Sequence, residues 1–101
     1  MTDKLSITIL CPLEIEEKLV DLLLITPNVS IFTSRPLAAH GISTIRLSQQ
    51  EQVLGQIFAV QIQAIIPAAN KDALLADIRE QFAGTNIRYW TTAALEVGEI
   101  L

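Results

Sequence analysis

One histidine and one cysteine are the only imidazole and thiol metal donors in this 101-residue sequence. His40, next to Gly41, is a candidate metal ligand. Zinc-type sites join about four donors at short, regular spacings, and the others on offer, Cys11, Glu51, Glu96 and Glu99, do not stand at such spacings. Three copies of His40 around a three-fold axis would supply a ligand set; a solvated histidine on a loop is the plainer alternative. Cys11 falls in phase with Ile7 and Ile9, which reads as a buried, inert thiol. Its place before a helix leaves open a thiolate favoured by the helix dipole. Arg35, Arg46 and Arg88 carry forked donors suited to phosphate or carboxylate. Arg88 is the best placed, being the single charge in residues 86–92. Gln52 and Gln56, beside Glu51, are candidates to line the same cleft. Together Arg35, Arg46, Gln52, Gln56 and Arg88 form the ligand-binding set. Trp90 and Tyr89 are suited either to stacking on a base or to anchoring an interface. Nothing resembles a nucleophile elbow or a phosphate loop. The one His and the one Cys are not brought together as base and nucleophile. The expectation is a protein that is not an enzyme.

The elements that must position these residues follow from periodicity. Residues 5–11 alternate, with Leu5, Ile7, Ile9 and Cys11 on one side and Ser6 and Thr8 on the other: a strand. Pro12 suits the first position of a helix. Glu14, Glu16 and Glu17 suit the positive end of its dipole. Ile15, Leu19, Leu22 and Leu23 make its apolar stripe, and it should stop before Pro27. Residues 29–34 read as a second strand. Residues 35–56 hold a proline and two glycines without sustained period, and read as a long loop. Within it, Ser48 and Glu51 make a capping-box pattern for a short helix over 48–54. Residues 57–66 are the clearest strand. Asn70 is placed to cap a second helix with Leu74, Leu75, Ile78 and Phe82 as its stripe and Gly84 as its stop. Residues 86–92 form a fourth strand, and the tail is expected to add a short fifth around Glu96 to Ile100. The order β-α-β-loop-β-α-β in a single domain predicts an α+β, ferredoxin-like βαββαβ fold. It is a four-stranded antiparallel sheet with both helices on one face and a long loop between strands 2 and 3.

Charge narrows the function classes. The formal net charge is −4, with only seven Lys and Arg, which speaks against nucleic acid and against a basic membrane-surface patch. The single cysteine permits no intrachain disulfide and fits a reducing, cytoplasmic setting. The start, Met1-Thr2-Asp3-Lys4, lacks the basic-then-apolar pattern of a secretory signal. No apolar run reaches the ~20 residues that span a bilayer. Ten of the 18 charged residues fall in the two helices, and residues 5–11, 29–34 and 57–66 carry none. The sheet face away from the helices then presents Ser6, Thr8, Gln61, Gln63, Ile57 and Ile65, with Trp90 nearby. A solvated face normally carries Lys and Glu, so this neutral one is expected to be covered by other copies of the chain.

Several landmarks carry a family resemblance over nearly the whole length: Cys11-Pro12 after the first strand, His40-Gly41 in the loop, Ser48 with Glu51-Gln52-Val53 and Gly55-Gln56, and Gly84 with Ile87-Arg88-Tyr89-Trp90. With the element order, they resemble the superfamily of PII nitrogen-regulatory and CutA proteins, and more closely an uncharacterised PII-like family. The resemblance implies a homotrimer with inward-packed sheets, ligand clefts between subunits, and a long loop that engages a partner. It further implies a setting beside heavy-metal efflux systems, hence a membrane transporter as the loop's partner and a role in metal tolerance. The sequence departs from PII in the turn before strand 4. Ala83-Gly84-Thr85-Asn86 stands where PII has a phosphate-holding Gly-Asp-Gly-Lys, which removes one contact that ATP would use. No cofactor is named by the sequence. A metal-binding protein using His40 and a purely structural interaction domain are the alternatives.

Overall fold

The structure, a computed structural model, describes residues 3–41 and 56–101. Strand β1 (Lys4–Pro12) leads through a 3-10 turn (Leu13–Ile15) into helix α1 (Glu16–Ile25). Strands β2 (Phe32–His40) and β3 (Gln56–Pro67) follow. A second 3-10 turn (Ala68–Asn70) opens helix α2 (Lys71–Phe82), and β4 (Arg88–Ala93) completes the sheet. All neighbouring strands are antiparallel, in the order β2-β3-β1-β4. The two sequence halves interleave, so β1 and β3 lie in the middle and β2 and β4 at the edges. This is the ferredoxin-like arrangement.

The alternation read in β1 and β3 decides which face is buried, because successive side chains point to opposite sides of a strand. Ile7, Ile9 and Cys11 pair with Ala64, Ile62 and Val60 on one face. These residues, with Ile66, pack against Leu19, Leu22 and Leu23 of α1 and Leu74, Leu75, Ile78 and Phe82 of α2. Each fully buried aliphatic side chain contributes about 1.5–3 kcal/mol. Leu5, Ile15, Val20, Val29, Phe32 and Ile87 close the edges of this core.

Helix ends follow local chemistry. The Thr26 hydroxyl donates to the Leu22 carbonyl at 2.7 Å and its N–H to Leu23 at 3.2 Å, closing α1 one residue before Pro27. Past α2, Gly84 takes φ of 81°, a left-handed conformation that favours glycine, and the Thr85 N–H and hydroxyl both donate to the Phe82 carbonyl.

Three expectations are corrected. Asn70 does not cap α2: it is itself helical in conformation and makes no side-chain capping bond, because the turn from Ala68 starts the winding earlier. The tail forms no fifth strand; residues 94–101 take no regular conformation after β4 ends at Ala93. The second strand is Phe32–His40 rather than 29–34, so residues 35–40 belong to the sheet and not to the loop. The reason is the length of β3, whose 12 residues offer β2 a partner as far as Gln56. Pro36, read as a breaker, is tolerated because β2 is an edge strand and needs no donor on its outer side. The short helix expected over 48–54 lies outside the described residues.

Candidate functional site

The register places a set of rows across the open face. One row reads Thr33, Gln63, Thr8, Trp90 from β2 to β4; the next reads Arg35, Gln61, Leu10, Arg88. Beyond these, Leu37, Ala59 and Pro12 form one flank, and Ile65, Ser6 and Thr92 the other. Thr8, on the central strand of this face, is only 4% exposed. Trp90, in the same row, is 48% exposed: a large aromatic ring that the sheet leaves half open to solvent. The same parity puts Lys4 at the end of this face, so its charges are Lys4, Arg35 and Arg88. All three stand at the rim and none is acidic.

Arg35 and Arg88 thus occupy one row at opposite edges, roughly 14 Å apart at Cα from three strand spacings. The Arg35 Nε donates to Gln61 Oε1 at 2.8 Å, and this bond sets the guanidinium against the sheet face. Among the described residues neither arginine has a carboxylate partner; the ion pair there is an exposed one, Lys71 with Asp72 at 3.6 Å. Two forked cations without counterions among the described residues, on a face whose one other charge is Lys4 at its end, can receive a phosphate or carboxylate.

The other candidates are not brought together. Arg46 and Gln52 lie outside the described residues. Gln56 opens β3 and pairs with His40 at the far end of the β2–β3 ladder. His40 is exposed there, on a strand rather than the expected loop. It stands roughly 16 Å from Cys11 at Cα, four residues and two strands away. Among the described residues no group of three or more His, Cys, Asp or Glu side chains could hold a metal ion. Cys11 is buried. Burial, with the charges of Glu16 and Glu14, pushes its thiol up to about 11. The helix dipole does not win, and the thiol stays protonated at neutral pH. Tyr89 and Trp90 do not act as a pair, since neighbours in a strand face opposite ways. Tyr89 points to the helix side and lines a groove of about 430 Å³ with Ile78, Arg79, Phe82 and Ile87.

Sequence reasoning missed the Arg35–Gln61 bond and this groove. Once β2 is extended to His40, strict pairing with β3 puts Arg35 opposite Gln61; that register was the available signal. The groove depends on how α2 sits beside β4, which periodicity does not encode. Among the described residues no helix is long and apolar enough to cross a membrane.

Comparison with known proteins agrees with this geometry. No curated protein matches the chain. A DUF3240 protein from Shewanella baltica OS155 has a similar structure, with TM-score 0.83, 18% identity and complete coverage of both chains. CPII from Thiomonas intermedia K12, a nitrogen regulatory PII-like protein bound to ADP, AMP and bicarbonate, has TM-score 0.72 and 19% identity. The match covers 97% of this chain and 96% of that one. Bacillus subtilis GlnK in complex with ATP has TM-score 0.66 and 11% identity over 93% and 84%. At these identities the likeness carries the fold, and it is the fold of PII-like proteins. The model of the family described as "Protein of unknown function (DUF3240)" matches residues 1–101, and the chain belongs to that family.

Proposed function

We propose that the chain is a PII-like regulatory protein, a homotrimer that binds an anionic small ligand between subunits and signals through the segment joining β2 and β3. The observation that carries this reading is the row Arg35, Gln61, Leu10, Arg88: a neutral sheet face with one arginine at each edge and no carboxylate beside either among the described residues. Copies arranged around an axis meet through unlike edges, β2 of one against β4 of the next. That arrangement covers the neutral face and brings Arg35 of one copy near Arg88 of its neighbour. Neither arginine alone makes a cleft; two from different copies do. The ligand class is an adenine nucleotide, as in the CPII and GlnK complexes of the same fold. The altered turn at 83–86 shifts the work of holding phosphate onto the rim arginines. Segment 41–55, which joins His40 to Gln56 in sequence, would engage a partner such as a metal-efflux transporter. Regulation requires the ligand to bind two states of that segment with unequal affinity.

Titration calorimetry with ADP, AMP and ATP tests the proposal on the unmodified chain and on Arg35→Ala and Arg88→Ala. A charge-assisted hydrogen bond contributes about 1.5–3 kcal/mol, so each variant should lose at least about tenfold in affinity. Absence of nucleotide heat from the parent, or equal affinity in parent and both variants, would remove the reading.

A further inference from the structure

Trp90 is the single tryptophan of the chain, and its ring is half-exposed on the open sheet face. It stands on the edge strand β4, opposite Thr8 of β1. Arg88 lies two residues earlier on the same strand, opposite Leu10. Residues two apart in a strand point to the same side, so indole and guanidinium share this face, roughly 7 Å apart at Cα. Tyr89 between them points the other way. The rim of the sheet thus offers a flat π-surface and a forked cation side by side.

The pair constrains what can cover it. An apolar cover would suit the ring but would strip water from Arg88, which has no carboxylate partner among the described residues. Burying a charge unpaired is costly. A second copy of the open face does no better, because its charges among the described residues are Lys4, Arg35 and Arg88, all cationic. A plain anion would satisfy Arg88 and leave the ring wet. A molecule with a flat aromatic ring at one end and an anionic group a sugar's length away satisfies both.

We infer that Trp90 stacks on the base of a nucleotide whose phosphate is held at Arg88. This inference rests on the ligand reading proposed above and adds to it the residue that recognises the base. Arginines alone do not tell a nucleotide from inorganic or sugar phosphate, since all offer the same kind of oxygen. A stacked indole does, because stacking rewards a π-face that plain phosphates lack.

Emission of the single tryptophan tests this on the unmodified chain, with ADP, pyrophosphate and ribose 5-phosphate as probes. ADP should quench the indole to saturation, and the two probes without a base should leave it unchanged. By calorimetry pyrophosphate should bind at least about tenfold more weakly than ADP. Trp90→Leu, shown to be folded by circular dichroism, should lose at least about tenfold in ADP affinity and keep pyrophosphate affinity within about twofold. Trp90→Phe should retain ADP affinity within about threefold, since a smaller ring still stacks. A residue with a merely structural role would not split base from phosphate in this way. ADP heat without quenching, equal ADP affinity in parent and Trp90→Leu, or pyrophosphate bound as tightly as ADP would overturn the stack and leave the anion site standing. No ADP heat from the parent would overturn both. Loss of assembly in Trp90→Leu, together with parent emission that ignores ADP, would give the indole to the subunit interface and overturn the inference.

Discussion

Placing a lysine on the open sheet face should separate folding from assembly. Gln63 is exposed at the centre of that face, opposite Thr8 on β1 and Thr33 on β2. In a lone chain the ammonium introduced by Gln63→Lys reaches water, so folding stability should move by less than about 0.5 kcal/mol. In the proposed trimer three ammonium groups are buried together. The charges nearest on that face are Arg35 and Arg88, one row away and of the same sign, and among the described residues no carboxylate shares the face. Burying an unpaired ion costs several kcal/mol. Taking about 3 kcal/mol per subunit, each interface weakens by more than about a hundredfold. The assay is velocity sedimentation across a concentration series, with circular dichroism to show that the variant is folded and Gln63→Thr as a neutral control. Assembly of Gln63→Lys at the same concentrations as the parent would refute the reasoning, because a covered face does not accept an unpaired charge.

Cys11 makes a pH prediction. Its thiol is raised from 9.0 to about 11 in the folded chain, so between these values the unfolded chain has lost the proton and the folded chain keeps it. Stability then falls as pH rises from 9 to 11, by up to about 3 kcal/mol at ~1.4 kcal/mol per unit. Below pH 9 the thiol contributes no slope. Denaturant titrations of Cys11→Ala should lack this part of the loss; an identical slope in parent and variant would contradict the assignment. Ile62 is fully buried on the central strand β3, and Ile62→Ala should cost about 2–5 kcal/mol in urea unfolding. Gly84→Ala meets no atom within 4 Å, so its cost is backbone strain at φ of 81° alone, about 1–2 kcal/mol by thermal unfolding.

The core was legible because one physical rule covers it. Alternation in β1 and β3 and the stripes Leu19, Leu22, Leu23 and Leu74, Leu75, Ile78, Phe82 all follow from burying one face, and the structure buries those residues. The neutral face was legible by subtraction, as the side the helices could not reach. The end of β2 was not, because Pro36 and the polar Ser34-Arg35 read locally as a break, while the pairing that overrides them comes from β3. Asn70 misled in the same way: the residue type suits a cap, yet the turn starting at Ala68 had already begun the helix. Among the candidate residues, Arg88 stands out in the sequence as a lone charge in a strand, and the structure places it on the edge strand β4. That Arg35 lies opposite Gln61 depended on a register that no local pattern announces. Cys11 was read correctly from its phase alone.

Sedimentation equilibrium of the unmodified chain at micromolar concentration bears most directly on whether the uncharged sheet face is covered by sister copies. One species of about 33 kDa, three copies of the 11.1 kDa chain, is the predicted result. A single species at 11.1 kDa would contradict it. The rim arginines of different copies would then never meet.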